Sequence, residues 1–180
     1  MSKLKRVVLG VTGSIAAYKA CDIARQLMEK GVRVSAVLTR EAEHFITPLT
    51  LSALTGEDAY HGSLKDPHSA EMPHITLAQE ADLVLIAPAT ANLIGKMAHG
   101  LADDLLTCIV LGTKAPVLIA PAMNSKMYAN TIVQSNCAIL KKNGFKFIEP
   151  TKGKLACGDV GVGHLADEET IVKAVLRSLK

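Results

Sequence analysis

The chain has 180 residues, 49% of them hydrophobic and only 3% aromatic, with 13 glycines. That length fits one domain, and that apolar share is enough to build a packed core. Twenty basic residues against 17 acidic ones give a net charge of +3 with no dense Lys/Arg run. This argues against nucleic acid as a partner while leaving room for an anionic small molecule.

The chain opens Met1-Ser2-Lys3-Leu4-Lys5-Arg6 and runs directly into an apolar stretch broken by Thr12-Gly13-Ser14. The stretch is too short to span a membrane and lacks a cleavage site, so the expectation is a cytoplasmic protein. The four cysteines, Cys21, Cys108, Cys137 and Cys157, form no CxxC pair. Free thiols in a reducing compartment are expected, with neither disulfides nor a metal site.

The first expected strand is 6–11, continuously apolar and therefore buried on both faces, as in a parallel sheet. A turn at Thr12-Gly13-Ser14 leads to a helix over 15–30 with apolar residues at helical spacing, stopped by Gly31. A strand at 33–38 follows, then a helical stretch opening at Thr39 and restarting at Pro48. A short strand is expected near 57–61, a polar loop over 62–73 and a short helical turn at 74–80. The run Leu83-Val84-Leu85-Ile86-Ala87 is another buried strand, ending in Pro88-Ala89-Thr90-Ala91-Asn92 and followed by helices to about 111. A strand at 117–120 ends in Pro121-Ala122-Met123-Asn124. A helix near 132–142, a strand at 145–148, a glycine-rich mobile loop over 149–163 and a closing helix at 168–179 complete the chain.

Alternating strands and helices with short joints predict an α/β fold: a doubly wound parallel sheet in three layers, Rossmann-like, with helices on both faces. No repeat, low-complexity segment or linker divides it, so one domain is expected over 1–180.

In such a sheet, ligands bind outside the carboxyl ends of the strands. Four ends carry small or polar residues: Gly13-Ser14, Thr39, Pro88–Asn92 and Pro121–Asn124. Gly13-Ser14 opens a helix, where backbone N–H groups and a hydroxyl suit a phosphate. Ser14 is equally an ordinary N-cap, and the GxGxxG pattern is absent. Thr39 and Thr90 read as helix caps or ligand contacts. Asn124 reads as a turn residue or as an amide that grips a carboxylate. His74, after Pro73, is a candidate catalytic or surface histidine. Cys157 lies in a glycine-rich loop, unlike the three helical cysteines, and is a candidate proton donor or nucleophile.

Several of these pieces occur together in one known family. They are Gly13-Ser14-Ile15-Ala16-Ala17-Tyr18-Lys19, Phe45-Ile46-Thr47-Pro48-Leu49, His74-Ile75, and Ala87-Pro88-Ala89-Thr90-Ala91-Asn92. Pro121-Ala122-Met123-Asn124-Ser125-Lys126-Met127-Tyr128 and Ala156-Cys157-Gly158-Asp159-Val160-Gly161 follow. In that order, over nearly the whole chain, the sequence resembles the homo-oligomeric flavin-containing cysteine decarboxylases.

The resemblance implies flavin mononucleotide (FMN) as cofactor, held by Gly13, Ser14, Ile15, Thr39, Pro88, Thr90 and Asn92. It implies His74 as base or orienting group, and Met123, Asn124 and Met127 at the substrate. Cys157, on a flap, would be the acid of the reductive half. The implied substrate is phosphopantothenoylcysteine, decarboxylated to pantetheine phosphate in coenzyme A biosynthesis. Oxidation of the substrate's CH2–S group to a thioaldehyde gives the departing carboxylate's electrons a sink, and the enethiolate is then reduced. A site assembled between subunits implies a homo-oligomer, a trimer or a dodecamer built of trimers.

The family flap often continues with Arg-Met where this chain has His164-Leu165, which touches the flap's contacts to substrate. The ligase domain that follows in many relatives is not expected here. The alternatives are a peptidyl-cysteine decarboxylase, a flavin prenyltransferase and a non-catalytic flavin-binding regulatory subunit.

Overall fold

A computed structural model describes residues 4–61, 72–154 and 160–180. The four longer strands of its main sheet are built from the apolar runs noted above. They are β1 (Arg6–Val11), β2 (Arg33–Leu38), β4 (Leu83–Ala89) and β5 (Val117–Pro121). Every residue of β1, β4 and β5 is buried, as expected for strands covered on both faces. Two-residue strands, β3 (Tyr60–His61) and β6 (Lys146–Phe147), form the edges. All pairings are parallel, and the order is β3-β2-β1-β4-β5-β6. The chain winds outward in one direction from β1 and in the other from β4, so the switch point lies between them.

Helices cover both faces. On one side α1 (Lys19–Glu29), α2 (Pro48–Thr55) and α8 (Glu168–Ser178) pack Ile23, Leu27, Leu51, Ile171 and Val175 against Val7, Leu9 and Val11. On the other, α3 (Pro73–Glu80), α4 (Ala91–Ala98), α5 (Leu105–Gly112) and α7 (Thr131–Lys142) pack Leu77, Leu93, Leu106 and Leu140 against Val8, Val84 and Ile86. The three-layer doubly wound expectation is met. The approach of α5 is close at one point, where a Cβ on Gly10 would fall 2.6 Å from Leu106 Cδ1. At the amino edge of the sheet, Arg6 is buried and compensated. It donates to Ser35 Oγ (2.9 Å) and pairs with Glu80, while Ser35 donates to Glu57 (2.9 Å), which also pairs with Arg33.

Several expected elements are corrected. The helix expected over 15–30 begins as a 3-10 turn, Ile15–Tyr18, before α1. The stretch after Thr39 is a single 3-10 turn, Ala42–His44. A one-turn helix, α6 (Ser125–Tyr128), precedes α7. The largest change concerns 149–163, expected as a mobile loop. β7 (Thr151–Lys154) and β8 (Val160–His164) pair antiparallel as a separate two-stranded sheet. The polar loop placed at 62–73 lies mostly outside the described residues.

Candidate functional site

The carboxyl ends of β1, β2, β4 and β5 surround a cleft of about 330 Å³, within the range of small-molecule sites. Its walls are Thr12, Gly13, Ser14, Thr39, Glu41, Thr90, Ala91, Asn92, Leu93, Asp104, Ala122, Met123 and Met127. The expected residues Gly13, Ser14, Thr39, Thr90, Asn92, Met123 and Met127 are thus brought together.

The turn after β1 is shaped by close packing. Ser14 N–H donates to Thr12 O (2.8 Å), and a Cβ on Gly13 would stand 2.5 Å from Glu41 Cβ. Thr12 ties this turn to the end of β4, because its hydroxyl donates to Pro88 O (2.7 Å) and accepts from Thr90 N–H (3.0 Å). Ser14 and Thr90 are also caps: Ser14 Oγ accepts from Ala16 N–H at 3.3 Å and Thr90 Oγ1 from Leu93 N–H at 3.4 Å. Capping uses each hydroxyl as an acceptor and leaves its proton able to donate to an anion.

Thr39 behaves differently. Its hydroxyl oxygen is shut off from solvent and has no hydrogen-bond partner, so it is not a helix cap. A buried unpaired hydroxyl is costly, and it calls for a partner that comes from outside the chain. Among the described residues, no lysine or arginine stands in the cleft walls. Backbone N–H groups and hydroxyls are the donors these described walls offer to an anion, as at other helix starts that follow a strand. The acidic wall residue Asp104 is tied up as the N-cap of α5, accepting from Thr107 N–H (2.8 Å), and lies 3.4 Å from Lys96 Nζ.

The last wall follows β5. Ala122 N–H donates to Ala89 O (3.0 Å) and Met123 N–H to Gly163 O (3.0 Å), so the main sheet and β8 both hold this turn. Asn124 caps α6, its Oδ1 accepting from Lys126 N–H (2.8 Å), which fixes its side chain next to Met123.

Other expectations, Asn124 among them, fall outside the walls. Ile15 is 58% exposed on the turn beyond Ser14, and Pro88 contributes its carbonyl to Thr12 rather than a cleft surface. His74 starts α3, which returns from the carboxyl edge of the sheet, yet it does not line the cleft of a single chain. Its Nδ1 is nevertheless buried and unpartnered. Cys157 lies outside the described residues. The other thiols, Cys21, Cys108 and Cys137, are free, and burial raises all three above the ordinary thiol range, leaving them protonated and weakly nucleophilic.

Sequence reasoning did not single out Thr12, Glu41, Ala91, Leu93, Asp104 and Ala122 as contacts, although Thr12, Ala91 and Ala122 lie in the turn and strand ends it named. Five of these lie within two residues of an expected contact and share its strand end. Asp104 had a signal of its own in the capping box that opens α5.

A hydroxyl-lined cleft at the switch point of a doubly wound sheet, beside a strand–turn–helix start, defines a mononucleotide-binding α/β protein. The flavoprotein family model matches residues 1–180, and the chain belongs to that family. It is 47% identical over 177 residues to the probable phosphopantothenoylcysteine decarboxylase of Streptococcus mutans, covering 97% of this chain and 99% of that protein. It is 46% identical over 169 residues to the coenzyme A biosynthesis bifunctional protein CoaBC of Bacillus subtilis, covering 94% of this chain but 42% of that protein. Among solved structures, a PPC decarboxylase mutant complexed with pantothenoylaminoethenethiol superposes with a TM-score of 0.86 and 33% identity, covering 97% of this chain and 98% of that one. The FMN-dependent cysteine decarboxylase SpaF gives 0.83 and 32%, covering 98% of each chain.

Proposed function

We propose that this chain is an FMN-dependent carboxy-lyase that converts phosphopantothenoylcysteine to pantetheine phosphate in coenzyme A biosynthesis. The observation that carries the reading is the near full-length similarity to the Streptococcus mutans protein, with the shared strand-end motifs meeting in one cleft. The orphaned Thr39 hydroxyl and described walls without lysine or arginine fit a mononucleotide held through N–H and O–H donors.

When bound, FMN supplies the reversible oxidation that gives the substrate's electrons somewhere to go as carbon dioxide leaves. The chain's residues position and protect this chemistry. The Gly13-Ser14 turn and the hydroxyls of Thr39 and Thr90 hold the cofactor. Asn124 and Met127 orient the substrate. His74 holds or moves a proton at Nδ1, and Cys157 supplies the proton that completes the product.

His74 is not among the described wall residues of the cleft of its own chain, which fits a site completed by a second copy. A homotrimer, or a dodecamer built of trimers, is part of the reading, as is a cytoplasmic setting. Among the described residues no helix is long and apolar enough to cross a membrane.

The test is an absorbance spectrum of the purified protein, followed by a turnover assay with phosphopantothenoylcysteine for carbon dioxide and pantetheine phosphate. Flavin bands with stoichiometric product are expected. A flavin-loaded protein that leaves this substrate intact but acts on a Cys-ending peptide would move the reading to peptidyl-cysteine decarboxylation. Cys157→Ser is expected to release carbon dioxide and stop at the enethiol, and normal yields of saturated product from it would remove Cys157 from its role.

A further inference from the structure

The turn that follows β5, residues 123–128, contains a single helical turn, and isolated turns of that length have little stability of their own. It is held at both ends by one element. At its start, Met123 N–H donates to Gly163 O on β8 (3.0 Å). A Cβ on Gly163, whose φ is +149°, would overlap the Met123 carbonyl oxygen, and a Cβ on Gly161 would stand 2.5 Å from Ser125 Cβ. Strand β8 therefore lies directly on the turn with no side chain between them.

At its far end, Tyr128 OH donates to Glu149 Oε2 (2.7 Å). Glu149 immediately precedes Pro150 and the start of β7, so it sits at the base of the same hairpin. The other oxygen of Glu149 accepts from Lys141 Nζ (2.7 Å), whose ammonium also lies 5.1 Å from the Phe147 ring centre. The protonation states suit this arrangement. Burial and the bond to Glu149 push the Tyr128 phenol above its ordinary range, so it stays a donor. Burial alone would raise Glu149, but its bonds from Lys141 and Tyr128 outweigh that and hold it lowered, as a carboxylate.

We propose that Tyr128 is a positioning residue that, through Glu149, fastens the 123–128 turn to the base of the β7–β8 hairpin, so that turn and hairpin move as one body. The proposal rests on the decarboxylase reading above. Asn124 and Met127 lie between the two fastening points, and Cys157, outside the described residues, falls between β7 and β8 in the sequence. Fastening both ends sets the substrate contacts of the turn in one frame with the hairpin before substrate arrives, which is preorganisation in the sense that lowers the cost of binding.

The experiment uses the flavin-loaded protein and the variants Tyr128→Phe, Glu149→Ala and the pair. Losing the bond is expected to raise KM about five- to tenfold with kcat within about twofold, and to leave FMN affinity unchanged. The double variant should match Glu149→Ala rather than multiply the two losses, because without Glu149 the Tyr128 hydroxyl has no bond there left to lose. Amide hydrogen exchange, which needs no substrate, should speed at Tyr128 and Ala129 and also at Met123, whose amide reports the distant Gly163 contact. Faster exchange confined to 128–129, or losses that multiply in the double variant, would overturn the proposal. Wild-type protein that binds FMN but leaves phosphopantothenoylcysteine intact would overturn the functional reading instead, while the exchange pattern still decides the fastening.

Discussion

Thr39 separates what a single residue does for the fold from what it does for the ligand. Its hydroxyl is buried without a partner, so replacing it with Val removes an unsatisfied group at nearly the same volume. Thr39→Val is expected to leave the melting temperature of the flavin-free protein unchanged or raised. FMN binding, followed by fluorescence titration, should weaken by about tenfold for one lost hydrogen bond. Equal affinity in variant and wild type would remove Thr39 from the cofactor site. Gly13 is the opposite case, since any side chain there meets Glu41. Gly13→Ala should lower both FMN affinity and thermal stability, measured by titration and melting. The sequence marked Gly13, Ser14, Thr39 and Thr90 because strand-end position is readable from apolar runs alone. It could not show that Ser14 and Thr90 cap their helices while Thr39 does not, because that depends on how β2 meets its neighbours.

At the scale of elements, legibility followed burial. Strands β1, β2, β4 and β5 are unbroken apolar runs, and the expected bounds came within two residues of the observed ones. The β7–β8 hairpin was missed because its residues are mostly exposed and glycine-rich, so neither alternation nor hydrophobicity marks it. Its glycines are packing features: Gly153 lies against the His164 ring and Gly161 and Gly163 against the 123–128 turn. Helix α6 was missed because one turn carries no periodicity, its only signal being Asn124 as cap. Helix α5 illustrates what a cap contributes. Asp104 and Thr107 form a reciprocal capping box, and the helix presents Leu106 and Ile109 to the core. Asp104→Ala is expected to cost about 1–2 kcal/mol, read from denaturant unfolding. Because Asp104 also walls the cleft, FMN titration of the same variant shows how far that cost reaches the site.

For the whole molecule, the informative fact is that His74 is not among the described walls of the cleft. If a second copy supplies His74, then His74→Asn and Asn124→Ala should each be inactive alone. Mixed and reassembled, the two should recover part of the activity, because some sites draw both intact residues from different chains. No recovery, with sedimentation showing mixed oligomers, would place both residues in one subunit's site. One contribution to stability that is lost on the acid side comes from Asp167, which caps α8. Hydrogen bonds from the Thr170 hydroxyl and amide hold it below its ordinary range. Such a group stabilises the fold above its unfolded-state value, and that contribution fades as pH falls through the folded one. Asp167→Asn should therefore lower the neutral side of the melting-temperature profile and leave the acid side nearly unchanged, so that the profile flattens.

The contact between Gly10 and Leu106 has a consequence for how this chain can change over time. The two positions share one small volume, with β1 giving up a side chain so that α5 can place a large one there. Alanine at position 10 collides with the leucine, and a smaller residue at position 106 leaves a void. Each change is harmful when it comes first and harmless once the other is present. Lineages of this fold are therefore expected to hold both residues or to have exchanged both, with few sequences caught between.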